Sequence, residues 1–150
     1  MLGTPNQVSQ HSEKDVMTVL DMIRKEFNVD ENRMYIMGHS MGGAGAIYLG
    51  VKHASLWAGI GAIAPAHAPA GITAANYSLE PAKQIPMIIV QGDADPLVPY
   101  AGVRQWIDKM KELGMTHQYI EIAGGDHGNV LTTGVPDIFA FFARHSKVRH

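Results

Sequence analysis

A chain of 150 residues with a hydrophobic fraction of 46% is long enough to bury one sizeable core and too short for two ordinary domains. Its formal net charge of −2 excludes the basic excess by which proteins hold nucleic acid or an anionic membrane surface, and no apolar run is long enough to span a bilayer. With no cysteine, disulfides and thiol chemistry are excluded as well.

Residues 1–11 are polar and turn-rich and read as an extended lead-in to a single domain over 1–150. No basic region followed by an apolar core opens the chain, so no export signal is expected and the chain reads as cytoplasmic. Ser12 is the expected start of a helix, because Ser12 and Asp15 have the spacing of a capping box. Val16, Val19, Leu20, Ile23 and Phe27 then recur at helical spacing. A polar loop leads to the apolar run Met34–Met37, which suits a strand buried on both faces.

Gly38-His39-Ser40-Met41-Gly42 follows at once, and the small residues from Gly42 to Gly50 open a helix that runs to about His53. Strand, G-x-S-x-G and helix in direct succession is the context of a nucleophile elbow. A strand turning straight into a helix strains its corner residue, and Gly38 and Gly42 are the neighbours expected to have to lack side chains. Ser40 would then stand at the tip with its hydroxyl exposed, before a helix N-terminus whose free N–H groups point at any anion forming there.

Trp57–Ala64 reads as the next buried strand, and 65–77 as an irregular loop in which His67 is expected to be solvated. Pro86–Gln91 is a third apolar strand, closed by the turn Gly92–Pro96. Pro99–Leu113 is an amphipathic helix with Val103, Trp106, Ile107 and Met110 inward. His117–Ile122 alternates as an edge strand does, and Gly124–Gly128 is the loop beyond it. Val135-Pro136-Asp137 is expected to open the last helix, Ile138–His145, with Pro136 in its first turn. Short strands alternating with helices imply an α/β fold, a three-layer α/β/α sandwich on a mainly parallel sheet of about four strands. In such sheets functional groups gather beyond the C-terminal strand ends, which is where Ser40, Asp93, Asp95 and His127 fall.

A serine hydroxyl needs a base to take its proton, and His127 is the candidate. The base needs a carboxylate to fix its tautomer. Asp95, in the turn D-P-L-V-P that would hold its side chain forward, is favoured; Asp93, nearer the strand, competes. Asp126 is the weaker rival, because neighbours in sequence rarely aim at each other. The eight histidines include no pair at the H-x-x-x-H spacing of a helical zinc site; no metal and no cofactor are expected, with metal dependence the weaker option.

Together R-M-Y-I-M-G-H-S-M-G-G, V-Q-G-D-A-D-P-L-V-P and G-G-D-H-G resemble the α/β-hydrolases, most closely the branch of feruloyl esterases, polyhydroxyalkanoate depolymerases and predicted peptidases. The resemblance spans Glu13 to His145 and implies a serine esterase acting on small esters through an acyl-enzyme. Ser40 would be the nucleophile, His127 the base, Asp95 the orienting acid, and the backbone N–H of Met41 the first oxyanion donor. A peptidase or thioesterase is the alternative within the same chemistry. Members of the family carry further strands and a Gly-rich loop upstream, with a second oxyanion donor, and residues 1–10 hold no counterpart. The resemblance therefore also allows a truncated, weakly active or inactive protein that associates or binds a ligand. It further implies an unprotected sheet edge at Met34–Met37, expected to be covered by a second copy in a homodimer.

Overall fold

The computed structural model describes residues 5–66 and 71–147, with side chains from residue 12 onward. The chain divides into two compact units, residues 1–31 and 32–150.

The first unit is the helix α1, Pro5–Glu26, and the few residues after it. It begins within the stretch expected to be an extended lead-in, so Ser12 and Asp15 lie inside the helix and do not cap it. The reason is local. Residues 6–11 contain no glycine or proline to interrupt a helix before Ser12. Beyond its end, the Arg24 guanidinium holds both carboxylate oxygens of Glu31, at 2.7 and 2.6 Å.

The second unit is built on four parallel strands, β1 (Tyr35–His39), β2 (Gly59–Ile63), β3 (Met87–Gly92) and β4 (His117–Ile122), in the spatial order 1-2-3-4. The helices are α2 (Met41–Lys52), α3 (Tyr100–Glu112) and α4 (Asn129–Ala143), with single 3-10 turns at Ala54–Leu56 and Glu80–Ala82. Each new strand is added on the same side of the last. Right-handed crossovers must then place every connection on one face. Side chains of α2 and α3 accordingly share one core with Ile60, Ala62, Met87 and Ile89. The alternate residues Ile63, Ile88 and Val90 point the other way and bury Val130, Ile138, Phe141 and Phe142 of α4. This is the expected three-layer sandwich.

β2 and β3 are buried along their whole length because a strand lies on either side and a helix layer on each face. β1 differs from the doubly buried strand expected at Met34–Met37. It is half-buried throughout, because it is the edge of the sheet among the described residues. It also continues to His39, so the corner residue follows the strand with no intervening loop. β4 is the opposite edge, as its alternation predicts, and carries charge on its flank: Arg104 of α3 binds Glu121 through two nitrogens at 3.0 and 2.8 Å.

The last helix begins at Asn129, well before the Val135-Pro136-Asp137 start expected from the proline. Asp126 Oδ1 accepts the N–H groups of Gly128 and Asn129, both at 2.8 Å, while Asn129 Oδ1 accepts the N–H of Asp126 at 2.9 Å. This reciprocal cap starts the helix early enough that Pro136 falls inside it and costs a single backbone bond. Among the described residues no helix is long and apolar enough to cross a membrane.

Candidate active site

Ser40 sits between β1 and α2 with φ 56° and ψ −120°, in the left-handed half of backbone space that non-glycine residues avoid. Such a conformation costs on the order of 1–3 kcal/mol and persists where its surroundings over-determine it. Here they do. The Ser40 N–H donates to Ile63 O at 2.9 Å, and the Ser40 carbonyl accepts from Ala44 N–H at 3.1 Å and Ala66 N–H at 3.0 Å. The corner is thus held by its own helix and by the end of β2.

The glycine pattern departs from expectation at one position. A Cβ on Gly38 would lie 2.1 Å from Gly42 O, so Gly38 is obligatory, but a Cβ on Gly42 would meet nothing within 4 Å. The contact is one-sided: Gly38 faces the Gly42 main chain, while the Cβ direction of Gly42 leads into open space. The second constrained residue is Gly43, whose Cβ would fall 2.9 Å from Ile63 O and 3.1 Å from Pro65 Cα. Met41 is the first residue of α2, so its N–H has no acceptor within the helix.

His127 comes from the far side of the sheet. β1 and β4 are three strand spacings apart, roughly 14 Å at about 4.8 Å each, and the loop after β4 must reach back over β3. It is fastened there through its own main chain. A Cβ on Gly92 would lie 2.1 Å from Gly125 O, Ala94 N–H donates to that same oxygen at 3.1 Å, and Gly124 N–H donates to Asp93 Oδ1 at 2.7 Å. Asp93 is therefore a latch on this loop, and Asp126 is the cap of α4. Both rivals of Asp95 are engaged elsewhere.

Three predicted residues are brought together. The His127 Nδ1–H donates to Asp95 Oδ2 at 2.8 Å, and His127 Nε2 lies 2.9 Å from Ser40 Oγ. A carboxylate only accepts, so it places the imidazole proton on Nδ1 and leaves the Nε2 lone pair facing the hydroxyl. The Asp95 side chain is fully shielded from solvent, and that of His127 is 19% exposed. Burial pushes the Asp95 carboxyl up, but the Val98 N–H, the His127 ring and the Leu97 N–H outweigh it, so it titrates below its ordinary 3.8 and is ionised at neutral pH. The two N–H groups reach Asp95 Oδ1 at 2.8 Å from Leu97 and 2.9 Å from Val98, a turn closed by the aspartate itself. The fully buried Gln91 braces this turn, donating to Val98 O at 2.9 Å.

One neighbour has no counterpart in the sequence reading. His39, the last residue of β1, places Nε2 at 2.8 Å from the main-chain oxygen of His127, and the two rings lie 4.7 Å apart. His67 lies outside the described residues. Among the described residues no three His, Asp or Glu side chains converge on a position that could hold a metal ion.

A parallel sheet with a serine on a strand-to-helix corner, and an acid and a histidine on loops after later strands, defines the α/β-hydrolase fold. Residues 10–130 match the Esterase family model, described as "Putative esterase", and the chain belongs to this family. A thermostable esterase of known structure superposes with a TM-score of 0.70 at 27% identity, over 88% of this chain and 36% of that one. The S-formylglutathione hydrolase FrmB of Staphylococcus aureus gives 0.72 at 21% identity, over 92% and 63%. A ferulic acid esterase of Anaeromyces mucronatus gives 0.73 at 17% identity, over 94% and 56%. The last two likenesses are of fold. In sequence, "Putative esterase NocK" of Nocardia uniformis subsp. tsuyamanensis is 31% identical over 85 residues, 57% of this chain. The chain spans 23% of the length of that relative.

Proposed function

We propose that this site hydrolyses small carboxylic esters through an acyl-enzyme on Ser40, with His127 as base and Asp95 as the acid that orients it. One observation carries the reading: a single imidazole bonds the Ser40 hydroxyl at 2.9 Å through one nitrogen and a shielded carboxylate at 2.8 Å through the other. Membership of the esterase family supports it.

In this reading His127 Nε2 takes the hydroxyl proton as Ser40 Oγ attacks the ester carbonyl carbon. The negative oxygen that forms is met by the Met41 N–H at the start of α2. Collapse breaks the bond to the alcohol, which leaves with the proton from His127, and the acyl group stays on Ser40. Water repeats the sequence and releases the acid. Asp95 stays ionised throughout and stabilises the imidazolium.

The test is reaction with a fluorophosphonate, followed by mass mapping of the modified peptide. A single adduct on Ser40 is expected; an unmodified Ser40 under conditions that label a known serine esterase overturns the proposal.

The half-buried edge at β1 supports one further expectation, that a second copy of this chain covers it. Size-exclusion chromatography with light scattering should return the mass of a dimer, and a stable monomer at micromolar concentration excludes that arrangement.

A further inference from the structure

We propose that His39 is a positioning residue for the second half of the reaction, holding the His127 imidazole in place while Ser40 is acylated; this rests on the acyl-enzyme reading above. The His127 loop crosses the sheet from the β4 edge to the β1 edge. Its fastenings to the Asp93 carboxylate and the Ala94 N–H both lie just past the end of β3. Among the described residues two contacts hold it at the β1 end, the Ser40 hydroxyl on the His127 ring and the His39 ring on the His127 main chain, while the Asp95 carboxylate holds Nδ1 of the same ring from the β3 side.

The first of these is consumed by the chemistry. Once Ser40 Oγ is bonded to the acyl carbon it has no proton to donate, and its bond to His127 Nε2 is gone. The second does not depend on the state of Ser40. A carbonyl oxygen only accepts, so His39 carries a proton on Nε2 and donates it to His127 O at 2.8 Å. The ring contact at 4.7 Å adds a wall against which the imidazole rests. Because His39 is the residue before Ser40, the anchor is fixed to the same strand end as the nucleophile.

Deacylation needs His127 in the place that acylation left it. Water adds to the acyl carbonyl carbon as His127 Nε2 takes one of its protons. The tetrahedral species then expels Ser40 Oγ, which recovers that proton from His127, and the carboxylic acid departs. A displaced imidazole slows this half while leaving the first half, where Ser40 itself draws the ring in, almost intact.

The experiment is steady-state and stopped-flow kinetics with p-nitrophenyl acetate on His39→Phe, which keeps a ring and removes the donor, and His39→Gln, which keeps a donor. For the Phe variant kcat and KM should fall together, by about tenfold each, with kcat/KM within about twofold of the parent. A burst of p-nitrophenol approaching one per Ser40 should accompany the fall, and His39→Gln should recover most of kcat. Parent-like kinetics in an active His39→Phe protein, or a lower kcat at unchanged KM without a burst, overturns the proposal; the latter is what a general loosening of the fold gives. If His39→Phe does not fold by circular dichroism, His39→Leu is read in its place by the same criteria. A parent protein inert to ester and fluorophosphonate overturns the acyl-enzyme reading and this inference with it, whereas an active parent matched by its variant overturns this inference alone.

Discussion

Asp95→Asn is expected to lower kcat on p-nitrophenyl acetate by about 10⁴-fold while leaving the fold intact. The carboxylate sets the proton on His127 Nδ1 through the 2.8 Å bond to Oδ2. An amide at that position can turn its NH2 toward Nδ1, which moves the imidazole proton to Nε2 and leaves no lone pair for the Ser40 hydroxyl. Asp93→Asn is the control, since its carbonyl oxygen can still accept the Gly124 N–H and the loop stays fastened. If Asp93→Asn loses activity as Asp95→Asn should, and Asp95→Asn does not, the orienting acid is misassigned.

The same variant has a signature in stability. The Asp95 carboxyl is held below its ordinary 3.8, so its ionised form contributes stability above that value, and the contribution is lost as pH falls through the depressed one. Melting temperatures of the parent should drop on acidification below about pH 4 more steeply than those of Asp95→Asn.

Gly38→Ala should abolish the native elbow. The added methyl would lie 2.1 Å from Gly42 O, where real Cβ contacts under 3.0 Å are essentially never found, and the obstacle is main chain that cannot rotate away. Relief requires β1 and α2 to separate at the point where Ser40 joins them, so a loss above about 4 kcal/mol is expected, with activity. Gly42→Ala is the counterpart. Its methyl meets nothing within 4 Å, and alanine in a helix is favoured over glycine by about 0.5–1 kcal/mol. Thermal melts of the two proteins should diverge in opposite directions from the parent. A Gly38→Ala protein that melts with the parent would show that the elbow is not packed as described.

Much of this was legible along the chain because it is written locally. The alternation in His117–Ile122 marks an edge strand, and β4 has those same bounds and that position. The apolar spacing of Val103, Trp106, Ile107 and Met110 marks the buried face of α3. The direct passage from an apolar run through G-x-S-x-G into small residues marks the strand-to-helix corner. Elsewhere one local signal outweighs another. Pro136 argued for a helix start, but the exchange of bonds between Asp126 and Asn129 had already begun α4; their three-residue spacing was a readable sign of it. α1 likewise runs through the more visible pair Ser12 and Asp15, which marks no boundary.

The site divides along similar lines. The D-P-L-V turn that holds Asp95 forward closes through N–H groups two and three residues on, a distance that sequence displays. His39 and His127 are 88 positions apart, and their meeting depends on a loop arriving from the other side of the sheet. No spacing rule carries that. The choice between Gly42 and Gly43 as the crowded glycine likewise turns on the direction of a bond that is not there, set by where β2 ends.

The one-directional order of the sheet has a further consequence. Ser40 follows the strand at one margin of the second unit and His127 the strand at the other, so two inner strands lie between the elements that carry the Ser40 hydroxyl and the imidazole facing it. Gly59-Ile60-Gly61-Ala62-Ile63 and the Met87–Gly92 strand contribute no reacting atom, yet any change in their spacing or twist arrives at the imidazole as displacement. Repacking the middle of this sheet would therefore be felt at the 2.9 Å contact between Ser40 Oγ and His127 Nε2.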